Sequence, residues 1–257
     1  MADKRVISVV NQKGGVGKTT SAINLAASLA LHHKKKVLVI DFDPQGNAST
    51  GLGLSVNDRD HSIYDVMLGD SEINEAIFKT KVHGLFLIPA IVDLSAAEIE
   101  LSEINDREFI LKNKLDEIID NFDYIIIDCP PSLGLLTVNA LTATKHILIP
   151  MQCEFYSLEG LSHLLTTLEL IKKNLNADLN ILGIILTMHD KRNKLTEQVE
   201  EDVRKFLGDL VFKSCIPRNV RLSEAPSYGE VALTYDPKCA GSQAYIALSK
   251  EFMKLVN

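Results

Sequence analysis

Residues 9 to 25 read VVNQKGGVGKTTSAINL. An apolar run leads into Gly14, Gly15 and Gly17, then into Lys18, Thr19, Thr20 and a segment of helical period. Strand, glycine turn and helix in this order make a phosphate-binding loop. The glycines let the backbone turn tightly with its N–H groups inward, forming a nest for an anion. The helix that opens near Lys18 adds its positive end beneath the same point. Gly17, Lys18 and Thr19 meet the end of the pattern G-x-x-x-x-G-K-[ST], but Gln12 occupies the place of its first glycine and a second lysine, Lys13, follows. The dinucleotide pattern G-x-G-x-x-G fails, because its third glycine falls on Thr20. A plain strand–helix turn explains neither lysine nor the paired threonines. Lys18 is therefore expected to reach terminal phosphates and the Thr19 hydroxyl to ligate Mg²⁺.

Outward from this loop, short apolar runs recur at Val6–Val10, Val37–Asp41, Leu85–Pro89, Tyr124–Asp128, His146–Pro150 and Ile181–Thr187. They are rich in Val, Ile and Leu and do not alternate, as suits strands buried on both faces. Segments of helical period lie between them at Lys18–Leu31, Asp106–Asn121, Leu133–Ala143, Ser157–Leu175 and Thr196–Leu207. This order predicts an α/β fold, a doubly wound and mostly parallel sheet flanked by helices, in one domain over residues 1–257. Ligands in such folds gather at the carboxyl ends of the strands. There the sequence places the glycine loop, then DFDPQGN at 41–47, then DCPPSLG at 128–134.

Composition narrows the function classes. The chain has 257 residues, 46% of them hydrophobic and 24% charged, which is ordinary for a globular protein with a sizeable core. No apolar run approaches the roughly 20 residues of a membrane-spanning helix, and MADKR followed by VISVV lacks the apolar stretch of a signal peptide. A cytoplasmic protein is expected. Cys129, Cys153, Cys215 and Cys239 form no C-x-x-C pair, which argues for reduced thiols rather than a zinc site. The seven histidines show no metal-ligand spacing. Lys and Arg number 27 against 34 Asp and Glu, a net charge of −7, so nucleic-acid binding is not advertised, although a local basic face can persist within that sum.

Asp128 ends the strand YIIID where a Walker-B aspartate stands, expected to hold Mg²⁺ directly or through water. Asp41 and Asp43 flank Phe42, and alternation sends both to the same side. Asp43 lies further past the strand end and is the candidate to orient an attacking water. Asp41 is either a second catalyst or a hydrogen-bonding support. Pro44 and Gln45 begin a loop able to switch with the nucleotide.

With these segments in place the chain resembles the ParA/Soj group of deviant-Walker P-loop ATPases. The resemblance runs through Lys13–Thr20, Asp41–Asn47, Asp128–Gly134 and Ile216–Ser227 (IPRNVRLSEAPS), and spans essentially the whole chain. The first three stretches are shared with MinD and its relatives; the fourth is narrower and points to the chromosomal Soj type. The resemblance implies ATP and Mg²⁺ as cofactors, with Lys13, Gly14, Gly15, Val16, Gly17, Lys18, Thr19 and Thr20 around the phosphates and Pro217 and Asn219 at the adenine. It implies an ATP-bound homodimer in which Lys13 crosses to the partner's phosphates, so that Lys13, Lys18 and Asp43 carry hydrolysis. It also implies sequence-independent binding of double-stranded DNA, a ParB/Spo0J-type centromere-binding partner that stimulates turnover, and association with the nucleoid. Basic residues gather in the last third, Lys191, Arg192, Lys194, Arg204, Lys205, Lys213, Arg218 and Arg221 among them. Arg192 and Arg221 are the DNA-contacting residues it implies, while Glu197, Glu200, Glu201 and Asp202 interleave with the cluster. The rival reading is a MinD-like membrane-cycling regulator of division. That would need a basic amphipathic anchor at the end of the chain, whereas Tyr245, Leu248, Phe252 and Leu255 form a stripe expected to pack on the core; no stable membrane association is expected.

Overall fold

Val6–Val9, Val37–Asp41 and Tyr124–Asp128 are buried at every residue. Runs of this kind are stable only between two apolar layers, and the computed structural model, which describes residues 5–154, 157–190 and 192–256, provides them. Its seven strands are β1 (Val6–Val9), β2 (Val37–Asp41), β3 (Phe78–Lys79), β4 (Leu85–Ile88), β5 (Tyr124–Asp128), β6 (His146–Gln152) and β7 (Asn180–Thr187). They form one sheet in the order β3-β4-β2-β5-β1-β6-β7. Every pairing is parallel except β3 with β4. The two-residue edge strand β3 is too short to leave a periodic signal, and the sequence did not reveal it.

Alternation within the strands divides the core in two. Leu38, Ile40, Ile125 and Ile127 face one side with Leu111, Leu136 and Leu164 of the helices Ile110–Asp116, Leu135–Ala143 and Ser157–Asn174. Val37, Val39 and Ile126 face the other, against helix α1 (Lys18–His33) and the helix Ala240–Val256. Tyr245, Leu248 and Phe252 are at most 1% exposed. The Phe252 ring meets Tyr124 edge-on at 5.4 Å, and Ser28 Oγ donates to Ser249 Oγ at 2.8 Å. The last helix is therefore core. Leu255 of the expected stripe is 52% exposed, and Val256 takes the buried position. Among the described residues no helix is long and apolar enough to cross a membrane.

The helix expected over Asp106–Asn121 is broken. Only Ile110–Asp116 is α-helical, flanked by 3-10 turns at Arg107–Phe109 and Ile119–Asn121. The cause is Asn139 on the neighbouring helix. Its amide nitrogen donates to Arg107 O (2.8 Å) and its oxygen accepts from Leu111 N (3.1 Å). Those two groups are an i, i+4 pair that a continuous helix would have joined, so a tertiary contact replaces a local one.

Phe252→Ala should cost about 3–5 kcal/mol of stability, the usual range for emptying a fully buried aromatic site. Urea unfolding followed by circular dichroism measures this, and a loss below about 1 kcal/mol would mean that the last helix is not part of the core.

Candidate functional site

The carboxyl ends of β1, β2, β5 and β7 open into a cleft of about 630 Å³. The glycine loop forms one wall. Gly17, at φ +86°, caps the start of α1, and Gly15 sits at φ +75°, a region glycine enters without strain. The loop is fastened from outside by groups that the sequence patterns did not reveal. Asn11 Nδ2 donates to Pro150 O at 2.7 Å, and Asn11 Oδ1 accepts from Lys13 N at 2.9 Å. Gln152 Nε2 donates to Gly15 O at 2.9 Å, and Thr187 Oγ1 donates to Val16 O at 2.7 Å. A trans peptide points its N–H opposite to its C=O. Fixing these two carbonyls on the β6–β7 side therefore turns the Val16 and Gly17 N–H groups away from it. Val16 itself is an apolar anchor, 2% exposed.

Gly14 is different. Its φ is not positive, and a Cβ built on it meets nothing within 4 Å. Nothing inside this chain requires glycine there. Lys13 does not line the cleft; its Nζ pairs with Glu154 Oε2 at 2.5 Å, both side chains about half exposed.

Register places the acidic groups. Asp41 and Asp128 are direct neighbours on β2 and β5, and neither is exposed. Their oxygens differ in environment. Asp41 Oδ2 accepts from the Ser49 N–H (2.7 Å) and hydroxyl (2.6 Å), while Oδ1 accepts from Asp43 N at 3.4 Å. It ties the loop after β2 to the strand end. Burial pushes its carboxyl up to about 6 against these hydrogen bonds. Both oxygens of Asp128 are buried without a hydrogen-bond partner. Burial, then the Asp41 charge, raise its carboxyl well above the ordinary value, and the nearby Thr19 hydroxyl and Lys18 ammonium only partly offset them. Lys18 is 7% exposed, donates to Lys13 O at 3.4 Å, and is lowered by burial although Asp128 and Asp43 pull it back up.

Of the two aspartates after β2, only Asp43 lines the cleft. Its Oδ1 accepts from Gln45 N at 3.0 Å and its carbonyl from Gly46 N at 2.9 Å, a tight turn through Pro44 and Gln45. Arg59, absent from every motif, clamps that loop from behind: it is 8% exposed and donates to Ala90 O, Gly46 O, Thr50 Oγ1 and Leu54 O.

Thr19, Thr20, Gly14 and Gly17 line the cleft, and so do Pro217 and Asn219. The latter segment is held by the end of β7, where Ile216 N donates to Leu186 O and His189 N to Ile216 O. Asn219 also caps the helix Val220–Glu224, accepting from Arg221 N at 2.9 Å.

Three arginines of the last third, Arg192, Arg204 and Arg221, are held in ion pairs. Arg192 is 90% exposed but clasps Asp190 at 2.9 and 2.8 Å. Arg221 meets Glu224 at 2.7 Å and Asp236 at 3.5 Å. Lys191 lies outside the described residues. His189, Glu200 and Cys215, remote in sequence, bring ligand atoms within 4.8 Å of one another. Arg204 already fills this group through Glu200 Oε1 (2.8 Å) and Cys215 Sγ (3.5 Å), and burial pushes the thiol up. It is an ion-pair network. Cys129 is fully buried behind Asp128.

Residues 4–181 match a family model described as an AAA domain. The chain is 52% identical over 247 residues to the sporulation initiation inhibitor protein Soj of Bacillus subtilis, covering 96% of this chain and 97% of that one. Among solved structures, cobyrinic acid a,c-diamide synthase from Mycobacterium smegmatis with bound ADP and magnesium has a TM-score of 0.85 at 35% identity, covering 97% of this chain and 94% of that chain. The septum site-determining protein MinD from Pyrococcus horikoshii, complexed with Mg-ADP, has a TM-score of 0.79 at 28% identity over 98% and 97% of the two chains.

The raised Asp41 carboxyl carries a linked stability. Between its ordinary value of 3.8 and about 6 the folded protein keeps a proton that the unfolded chain releases. This contribution is complete below about pH 4 and is lost as pH rises through about 6. Asp41→Asn should flatten the stability profile across that window, measured by urea unfolding without nucleotide. An unchanged slope would assign the titration to another group.

Proposed function

The chain belongs to the ParA/Soj family of chromosome-partitioning ATPases, and on that premise we propose that it is an ATP-driven DNA-partition switch. ATP binding pairs two subunits, the pair holds double-stranded DNA without sequence preference, and hydrolysis stimulated by a ParB-type partner resets it. The observation that carries this reading is Asp128. Its carboxylate is buried with both oxygens unpartnered, beside Thr19 and Lys18, which themselves line the cleft of the phosphate nest.

That donor set fits a hard divalent cation, which takes oxygen ligands and keeps several waters. Thr19 would bind Mg²⁺ through its hydroxyl and Asp128 directly or through water; the ion would neutralise charge between the β- and γ-phosphates. The remaining chemistry belongs to side chains. The Val16 and Gly17 amides and Lys18 bind the phosphate oxygens and hold them in line for attack. Asp43, on the cleft wall, orients the attacking water. It need not be a strong base, since positioning and charge stabilisation supply most of the rate in phosphoryl transfer. Pro217 and Asn219 frame the base. Asp41, Pro44 and Gln45 form the support and turn through which the Asp43 loop responds to the terminal phosphate.

Two features support a second subunit. Gly14 is bare toward solvent and is not required by its own chain, which suits close approach of another backbone. Lys13 stands outside its own cleft, which supports a role at a partner's phosphates like that of an arginine finger. The whole chain, 1–257, is read as one ATPase domain. Arg192 and Arg221 are the DNA contacts in this reading: their carboxylate partners exchange for phosphate, and pairing of subunits doubles the surface, giving salt-sensitive binding at the nucleoid. The Tyr245, Leu248 and Phe252 stripe is buried in the core, which supports this reading over one in which that helix is a MinD-like membrane anchor.

Sedimentation and DNA retention with ATP and Mg²⁺ separate the steps. Lys18→Ala should neither dimerise nor hold DNA, and Gly14→Val should bind ATP as a monomer. Asp43→Ala should remain dimeric and DNA-bound while hydrolysis falls about a hundredfold or more. Normal hydrolysis by Asp43→Ala would remove that residue from the mechanism.

A further inference from the structure

The starts of β2 and β4 and the end of β3, at the opposite edge of the sheet from the phosphate loop, enclose a second cleft of about 500 Å³. Its floor is apolar, formed by Ala30, Val82, Leu85 and Phe86. Lys34, Lys35, Lys36, Lys79 and His83 stand around it, and among the described residues no acidic one lines it. In a chain of net charge −7 this concentration of one sign is unusual. Lys35 is neutralised on the flank by Asp123 at 3.3 Å. Lys36 lies over the Phe122 and Phe86 rings, 4.9 and 5.4 Å from their centroids, which pins the ammonium at the mouth without cancelling its charge. Among the described residues Lys34, Lys36 and Lys79 have no carboxylate within ion-pair distance.

The end of α1 explains part of this charge. Lys34 closes the helix in a left-handed turn at φ +56°, where cations complement the negative end of the helix dipole. Lys79 and His83 answer to no helix end; they come from the β3–β4 hairpin and meet Lys34 and Lys36 across the cleft. A recess lined by one sign of charge over apolar walls focuses the field and concentrates counter-ions. Its volume is comparable with the 630 Å³ of the phosphate-loop cleft and lies in the range of small-ligand sites.

We propose that this cleft is a second phosphate-ligand site, taking a nucleoside polyphosphate with its phosphates on Lys34, Lys79 and His83 and its base against the apolar floor. Inorganic polyphosphate shares the charge but leaves the floor unused, so it binds more weakly. The cleft has no glycine nest and no lining carboxylate to orient water, so it binds without hydrolysing. Helix α1 links the two clefts, with the phosphate loop at its first turn and Lys34 just past its last.

The test is calorimetric titration of the full chain with ADP and, separately, with inorganic triphosphate. Lys18→Ala is used to silence the phosphate loop, with and without Lys34→Glu plus Lys79→Glu, two exposed positions. Because Lys34 faces the negative end of α1, melting is followed alongside, and a fall of a few degrees leaves the chain folded for the titration. Lys18→Ala is expected to retain one weak ADP site. The paired charge reversals should weaken it by roughly tenfold, as should a rise in salt from about 0.05 to 0.3 M, and triphosphate should compete for it less tightly. Absence of any ADP binding by Lys18→Ala at millimolar concentration overturns the proposal while leaving the phosphate-loop reading intact. So does residual binding indifferent to the reversals. If the reversals remove only the retention of duplex DNA, the surface belongs to the DNA backbone and the small-ligand site is refuted. Persistence of the tight wild-type site in Lys18→Ala would instead count against the phosphate-loop reading alone.

Discussion

Two parallel strands in register bring Asp41 and Asp128 side by side at the centre of the sheet, both withdrawn from water. Like charges in a buried site cannot both ionise cheaply. The fold resolves the conflict unequally. Asp41 is given the Ser49 amide and hydroxyl and becomes the peg that holds the loop after β2. Asp128 is given nothing by the protein except the neighbourhood of Lys18 and Thr19. That deficit of positive charge and hydrogen bonds at the foot of the phosphate nest defines the site. A hydrated divalent cation makes good both halves of it, its charge meeting the first and its bound waters the second, and it in turn takes phosphate oxygens as ligands. The outer fastenings of the glycine loop through Asn11, Gln152 and Thr187, and the Arg59 clamp on the Asp43 loop, keep the deficit in one place.

The same reasoning explains what the sequence made legible. Strands buried on both faces leave unbroken apolar runs, so six of the seven strands stood out, and the carboxyl-edge rule then located the cleft. The glycine spacing, Asp43 and Asp128 stood out because their chemistry depends on position relative to a strand end. Contacts made by residues far apart in the chain were hidden. Asn139 breaks a helix by taking an i, i+4 pair of backbone groups from another element, which no local pattern encodes. Arg59 and Gln152 work through backbone carbonyls that only the folded chain brings to them. Alternation put Asp41 and Asp43 on one side, yet the turn at Gly46 buries the first and leaves the second on the cleft wall. The basic cluster of the last third looked freer than it is, because Asp190, Glu224 and Asp236 meet its arginines in space.

Lys13 marks where the structure of one chain stops accounting for its sequence. Its contact with Glu154 is an exposed ion pair, worth about 0–1 kcal/mol, so the lysine can leave it at little cost. Charge developing on a phosphoryl group in a water-excluded dimer interface would hold a cation far more strongly. Gly14, adjacent and without an intrachain reason to be glycine, belongs to the same account. In the proposed switch, delivery of the extra lysine in trans would make hydrolysis conditional on pairing.

The central claim is that Lys13 completes its partner's site. It is tested most directly by mixing Lys13→Ala with Asp43→Ala subunits and measuring ATP turnover against the sum of the two alone. In a mixed pair the Lys13→Ala subunit keeps its own Asp43 and receives Lys13 from its partner, so one intact site is rebuilt and turnover should rise well above the sum. Turnover no greater than the sum, with mixed dimers demonstrated by sedimentation, would show that Lys13 acts within its own chain and would contradict the account.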